Sequence, residues 1–384
     1  MANTSGHSTG RDGYADAVPE VLLIAAGGGG DVIGAVMVAE TLGLSPEDAI
    51  IATLAWERLL IDPVPGPRSA DDFDGLTRRG ITFEILPTSR ARHPYGSLLP
   101  RLRRDLGYPL FLLDPESGAR GLVAQLGALQ DTLTGRRDVW LFDVGGDVLA
   151  TGSEPGLRSP LCDAMTLAAT AQLTGEPRVL VAGPGLDGEL THTEIKARLG
   201  RTGAELLTTL TPPSQRVQDA LAWHPTEANA LLAASAMGIR GLVEIRDAGT
   251  AIELTPQSAQ VWTMTVANAR VGSITEAILA TKGFIEAEDA LKLRLGWTEL
   301  DYEREKAARV NVNAETLDAG QIDDAALAAV RAFEQAAVTR GARYTTFRRL
   351  AEQTQQSHRC PELRAALVAA HPDRLVGPLW RLSP

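Results

Sequence analysis

The chain has 384 residues, 44% of them hydrophobic and 22% charged, with a formal net charge of -11; this is the make-up of an ordinary globular protein with material for one large or two average domains. An acidic chain lacks the basic face that duplex nucleic acid demands, and two cysteines, Cys162 and Cys360, are too few for a disulfide framework or a structural zinc site. No apolar run reaches the roughly 18 to 20 residues of a membrane span, so the expectation is a cytoplasmic protein with no membrane and no nucleic-acid partner, a homo-oligomer remaining open.

Residues 1–18 are small and polar without an apolar signal core, and read as a disordered tail. Val21 to Ala26 is a strand that runs into Gly27-Gly28-Gly29-Gly30, and Asp31 to Leu42 is a helix closed by Gly43. Ala49 to Leu54 is a second strand, followed by a rigid, proline-rich loop through Arg68, and Ile81 to Leu86 is a third strand. Residues 87–109, rich in Arg, Pro and Gly, suggest a loop with short helices over a crevice. A helix over 119–134, a strand at Val139 to Asp143, a helix at Leu161 to Leu173 and a strand at Val179 to Ala182 continue a βαβ alternation. That rhythm is the signature of a parallel sheet covered by helices on both faces.

Beyond residue 200 the pattern loosens into helices near 214–222 and 226–237, a strand at Leu242 to Ile245 with a hairpin partner at Ala251 to Leu254, and a strand at Gln260 to Val266. Helices follow at 273–281, 285–296 and 325–339, with two more after Tyr344. The predicted fold class is α/β: a doubly wound, mostly parallel Rossmann-like sheet over residues 19–300 with a helical C-terminal appendage over 301–384.

Three strands end in the same grammar of glycines followed by acids. Side-chain-free backbone at the carboxyl end of a parallel strand lets a ligand approach main-chain N-H groups, and three such loops imply one site. In the first, Gly27, Gly28, Gly29 and Gly30 precede a helix start whose dipole favours an anion. Gly28, Gly30 and Gly34 match a G-x-G-x-x-x-G spacing, but Ile33 breaks the stricter dinucleotide fingerprint. Glu57 stands where such folds hold a ribose hydroxyl, with Arg58 beside it. Asp31 is either a ligand-facing acid or a helix N-cap.

The second loop, Asp143-Val144-Gly145-Gly146-Asp147, carries two carboxylates four residues apart, suited to Mg²⁺, to sugar hydroxyls or to general acid and base work. Asp143 and Asp147 are the candidate catalytic and metal-ligating residues, Gly145 and Gly146 supply backbone, and Arg158 offers a bidentate grip on a phosphate or carboxylate. Asp163 is a third acid nearby, equally placed to cap a helix. The third loop adds Asp187, Glu189 and His192, the histidine as candidate general base. Walker, nucleophile-elbow and zincin signatures are absent.

Taken together, Gly27 to Val32, Trp56-Glu57-Arg58 with Asp62 to Arg68, Asp143 to Asp147 and Glu154 to Pro160 resemble a bacterial and archaeal family of unknown function, DUF1152, over most of the chain up to about residue 300. The resemblance implies a shared site and no specific chemistry. Three readings stay open: an enzyme, transferase or hydrolase, that binds a nucleotide, nucleoside or phosphorylated sugar and acts at its sugar or phosphate; an NAD(P)-dependent oxidoreductase; and a non-catalytic nucleotide-binding sensor or assembly protein.

Overall fold

The computed structural model describes residues 20–135, 137–246, 248–313 and 322–382; the expected tail over residues 1–18 lies outside them. The strands used below are β1 (Val21–Ala25), β2 (Ala49–Leu54), β3 (Thr77–Arg79), β4 (Thr82–Ile85), β5 (Leu110–Leu113), β6 (Asp138–Val144), β7 (Arg178–Ala182) and β8 (Glu205–Thr209), then β9 (Gly241–Ile245), β10 (Thr250–Leu254), β11 (Gln260–Thr265), β12 (Tyr344–Thr345), β13 (Leu375–Val376) and β14 (Leu379–Arg381). The helices used below are α1 (Asp31–Thr41), α2 (Leu99–Leu106), α3 (Gly118–Gln130), α4 (Pro160–Thr170), α5 (His192–Arg201), α6 (Gln215–Trp223), α7 (Glu227–Ala236), α8 (Phe284–Leu295), α9 (Glu299–Asn313), α10 (Asp324–Thr339), α11 (Phe347–Gln353) and α12 (Cys360–Ala370).

β1 is apolar along its whole length and β2 apart from Thr53, and both are buried on both faces, the pattern of strands inside a parallel sheet. The large sheet has the order β8-β11-β7-β6-β1-β2-β5-β4-β3. Its five middle strands, β7 to β5, run parallel, with Val21 opposite Ala49 on one side and Asp138 on the other. The outer strands are antiparallel. Alternate residues of β1 feed different cores. Val21, Leu23 and Ala25 pack with α1, α2, α6 and α7, whereas Leu22 and Ile24 pack with α3, α4, α5 and α8. The result is a mixed α/β fold with a large, mostly parallel sheet and helices on both of its faces.

Close approach of α1 to the sheet depends on Gly34, where an added Cβ would overlap Asn229 Oδ1 and the Phe142 ring of β6. A smaller second sheet, β10-β9-β12-β14-β13, joins residues 241–254 to the C-terminal segment. There Arg340 clasps Glu244 with two bonds of 2.7 and 2.8 Å, and Trp380 sits fully buried among α10, α11 and α12.

Five strands escape the sequence periodicity. β5 is a four-residue buried run just after Pro109 that takes the place beside β2, while the segment around Thr82 runs antiparallel further out. β8 is a mostly exposed edge strand, and β12 to β14 are two or three residues long, too short to show a period. The C-terminal segment, expected to be helical, therefore also supplies strands. Among the described residues no helix is long and apolar enough to cross a membrane.

Candidate functional site

The parallel strands β1, β2, β6 and β7 end on one edge of the sheet, and the loops that leave them open onto a cavity of about 850 Å³, within the size range of a nucleotide or sugar-phosphate pocket. The N-termini of α1, α4 and α7 reach the same cavity through Gly30, Ser159 and Thr226. Their positive dipole ends partly offset the negative charge gathered there.

That charge is organised as two carboxylate triads. Asp31, Asp143 and Asp163 form one and Asp147, Asp187 and Glu189 the other, with one oxygen from each member within 4.8 Å of the others in its triad, and all six buried. Asp31 Oδ2 accepts the Gly27 N-H at 3.0 Å and Oδ1 accepts from Asn229 Nδ2 at 3.0 Å. Glu189 is held by the N-H groups of Arg158 (2.6 Å) and Ser159 (3.0 Å), the Ser159 hydroxyl (2.7 Å) and Arg246 Nη2 (2.8 Å). By contrast Asp143 Oδ2, Asp163 Oδ1 and Asp187 Oδ2 are buried without a hydrogen-bond partner. The helix-start N-H groups that Asp163 might have capped are taken instead by Glu299, at 2.8 to 2.9 Å from Leu161 and Cys162.

Burial is the main cause that pushes Asp31 up to about 6, against its two hydrogen bonds. Burial, then the facing carboxylates, raise Asp143, Asp147, Asp163 and Asp187 above the usual range. Glu189 alone falls below it: burial works upward, but Arg246, Ser159 and the Arg158 N-H outweigh it. Eleven Asp and Glu side chains line the cavity against five Arg and Lys. Oxygen-only donors at this density match hard divalent cations such as Mg²⁺, Mn²⁺ or Ca²⁺.

Anion-seeking groups stand at the rim. Arg58 and Arg158 line the cavity with exposed side chains, and Arg58 is close enough to Asp31 to favour its ionised form. His224 is buried in the wall. Its Nδ1 accepts the Thr226 N-H at 3.2 Å, so the ring proton is on Nε2, which has no partner; burial, then Arg101, hold the ring neutral by lowering its pKa to about 3. A neutral imidazole N-H is a donor that an acceptor oxygen would satisfy.

Of the residues singled out from sequence, Gly27, Gly30, Asp31, Glu57, Arg58, Asp143, Asp147 and Arg158 line the cavity. Gly28 and Gly29 lie behind it: Gly28, at φ 90°, faces the Trp56 carbonyl, and Gly29 faces Glu57 and Leu99. Gly145 and Gly146, both at positive φ, press on Asp187 and Ile195 and so let β6 turn tightly against the β7 loop. Glu57 is engaged by the Leu98 N-H at 2.8 Å and the Ser97 hydroxyl at 3.3 Å, and burial pushes it up to about 7. His192 opens α5 with an exposed side chain away from the cavity lining. Sequence reasoning missed His224, Arg246, Glu299, Glu303 and Arg348, which join the cavity from residues 224 to 348. The one local sign among them is Arg246, a non-glycine residue at φ 59°, and that is visible only in three dimensions.

The model of the family described as "Protein of unknown function (DUF1152)" matches residues 22–307, which includes every triad member, and the chain belongs to that family. No curated protein and no solved structure matches the chain.

Proposed function

We propose that this member of the DUF1152 family is a cytoplasmic enzyme that binds a nucleotide, nucleoside or phosphorylated sugar and performs group transfer or hydrolysis at its sugar or phosphate. The observation that carries the reading is the juxtaposition, in one cavity, of two buried carboxylate triads and the exposed Arg58 and Arg158. A ligand that combines hydroxyls with an anionic group satisfies both halves: carboxylates accept from sugar hydroxyls or bind a divalent ion, and guanidinium groups fork onto phosphate. A parallel core with helices on both faces, read as a doubly wound Rossmann-like sheet, supports the same placement of ligand at the carboxyl edge.

In this reading Arg58 and Arg158 hold the phosphate, and His224 Nε2-H donates to a ligand oxygen. The carboxylates do the chemical work. They stabilise positive charge that develops at a glycosidic carbon, or would hold a divalent ion, which would supply neutralisation of phosphoryl oxygens and an activated water. Asp143, whose carboxyl is raised by burial and its acidic neighbours, is suited to keep a proton where an ordinary aspartate has lost it.

The test is a melting-temperature screen of nucleotides, nucleosides and sugar phosphates with and without Mg²⁺, followed by product analysis of each stabilising compound. A ligand at about 100 times its Kd adds about 2.7 kcal/mol. The expected result is stabilisation by a phosphorylated compound and its turnover, both lost in Asp143→Asn. If none of these classes stabilises the chain or is consumed, the reading is wrong.

A further inference from the structure

Resting on that reading of the cavity, the geometry points to a centre for two divalent cations of the Mg²⁺ or Mn²⁺ class, one held by Asp31, Asp143 and Asp163 and the other by Asp147, Asp187 and Glu189. Oxygens bound to one such ion at about 2.1 Å stand roughly 3 to 4 Å apart. The donor atoms of each triad already lie within 4.8 Å of one another, so small side-chain rotations complete each set. The two sets come from the same loops: Asp143 and Asp147 flank the Gly145-Gly146 turn, and the Asp147 carboxyl lies within hydrogen-bonding reach of Asp143. Neighbouring ions in this arrangement grip both sides of a transferred group.

Packing does not account for these acids. Asp143, Asp163 and Asp187 are 1%, 3% and 7% exposed, yet each keeps one buried oxygen without a hydrogen-bond partner, an arrangement that is costly unless a proton or a cation completes it. Outside the triads, the Nε2-H of His224, 7% exposed in the wall of the same cavity, is likewise without a partner, a further buried polar group that packing leaves unsatisfied. The two positions differ. In the first triad Asp143 and Asp163 both have an orphaned oxygen, whereas in the second Glu189 is already neutralised by Arg246 and three further donors. The first position therefore fills at lower ion concentration.

The experiment is a titration of the full chain, stripped with EDTA and dialysed, with MnCl₂ alone. Loss of the aqueous Mn²⁺ resonance counts bound ions, and the frozen-solution spectrum reports whether they are magnetically coupled. Two bound Mn²⁺ per chain with a coupled signal are expected for the wild type. The near-isosteric Asp163→Asn and Asp187→Asn should each bind one ion and lose the coupling, with folding checked by circular dichroism; Asp143→Asn and Asp147→Asn replace either variant that fails to fold. Fewer than two ions on the folded wild type, or unchanged stoichiometry in folded variants of both triads, overturns the inference. Two ions without turnover of any phosphorylated compound leave the ion centre standing and end the enzymatic reading. Turnover that persists in EDTA does the reverse.

Discussion

The stability gained by replacing Glu299 with Gln should be about 2 kcal/mol larger at pH 8 than at pH 6. Glu299 opens α9, is 5% exposed, and accepts the Leu161 N-H at 2.9 Å and the Cys162 N-H at 2.8 Å, two of the donors that the first turn of α4 leaves without intrahelical partners. Burial is the dominant effect and pushes its pKa up to about 8, despite those two bonds. Between the ordinary value of 4.5 and about 8, the folded chain keeps a proton that the unfolded chain has released. The folded state binds more protons in that window, so stability falls as pH rises and the loss is complete above it. Each pH unit is worth about 1.36 kcal/mol, so Glu299 alone removes about 2 kcal/mol between pH 6 and pH 8, where the slope begins to flatten. Gln has the same shape, retains one acceptor oxygen and does not titrate. Urea unfolding of both proteins in EDTA at the two pH values measures the effect, and the remaining cavity acids cancel because both proteins carry them. The difference between the two should change by about 2 kcal/mol in favour of Gln; a difference that stays constant within about 0.5 kcal/mol would refute the argument.

Gly34→Ala should destabilise by at least about 2 kcal/mol, because its Cβ would strike Asn229 and Phe142 inside the core; a thermal melt within a degree of wild type would show that α1 can shift freely. Arg246→Ala removes the guanidinium paired with Glu189, which is 2% exposed, and should cost about 2 to 3 kcal/mol in urea unfolding, less than full loss of a buried pair because three other donors remain. Arg58→Ala changes an exposed side chain, so it should alter stability by less than about 0.5 kcal/mol while weakening binding of a phosphorylated ligand at least tenfold by calorimetry. Asp163→Asn should raise the melting temperature of the metal-free protein, since burial and the acidic neighbours oppose ionisation of the Asp163 carboxyl, a cost the neutral amide does not carry, and lower it relative to wild type once Mn²⁺ is present.

How much of this was legible beforehand follows from the range of each signal. Local patterns carried the parallel core: the apolar runs of β1, β2 and β7 and the glycine-acid ends that follow β1, β6 and β7 are local in sequence. Because parallel strands align their carboxyl ends, those loops were bound to share one edge, and Asp31, Asp143 and Asp147 were accessible to reasoning from the chain alone. Asp163 stayed ambiguous between ligand and helix cap, and the ambiguity ended only because Glu299, 138 residues distant from Leu161, occupies the N-H groups it would have capped. The partition of Asp143 and Asp147 between separate triads, the orphaned Nε2-H of His224 and the Arg246 clasp on Glu189 likewise arise from contacts across the fold. Sequence periodicity reports which face of an element is buried; it contains no term for which distant side chain arrives there, and that is what the tertiary structure decided.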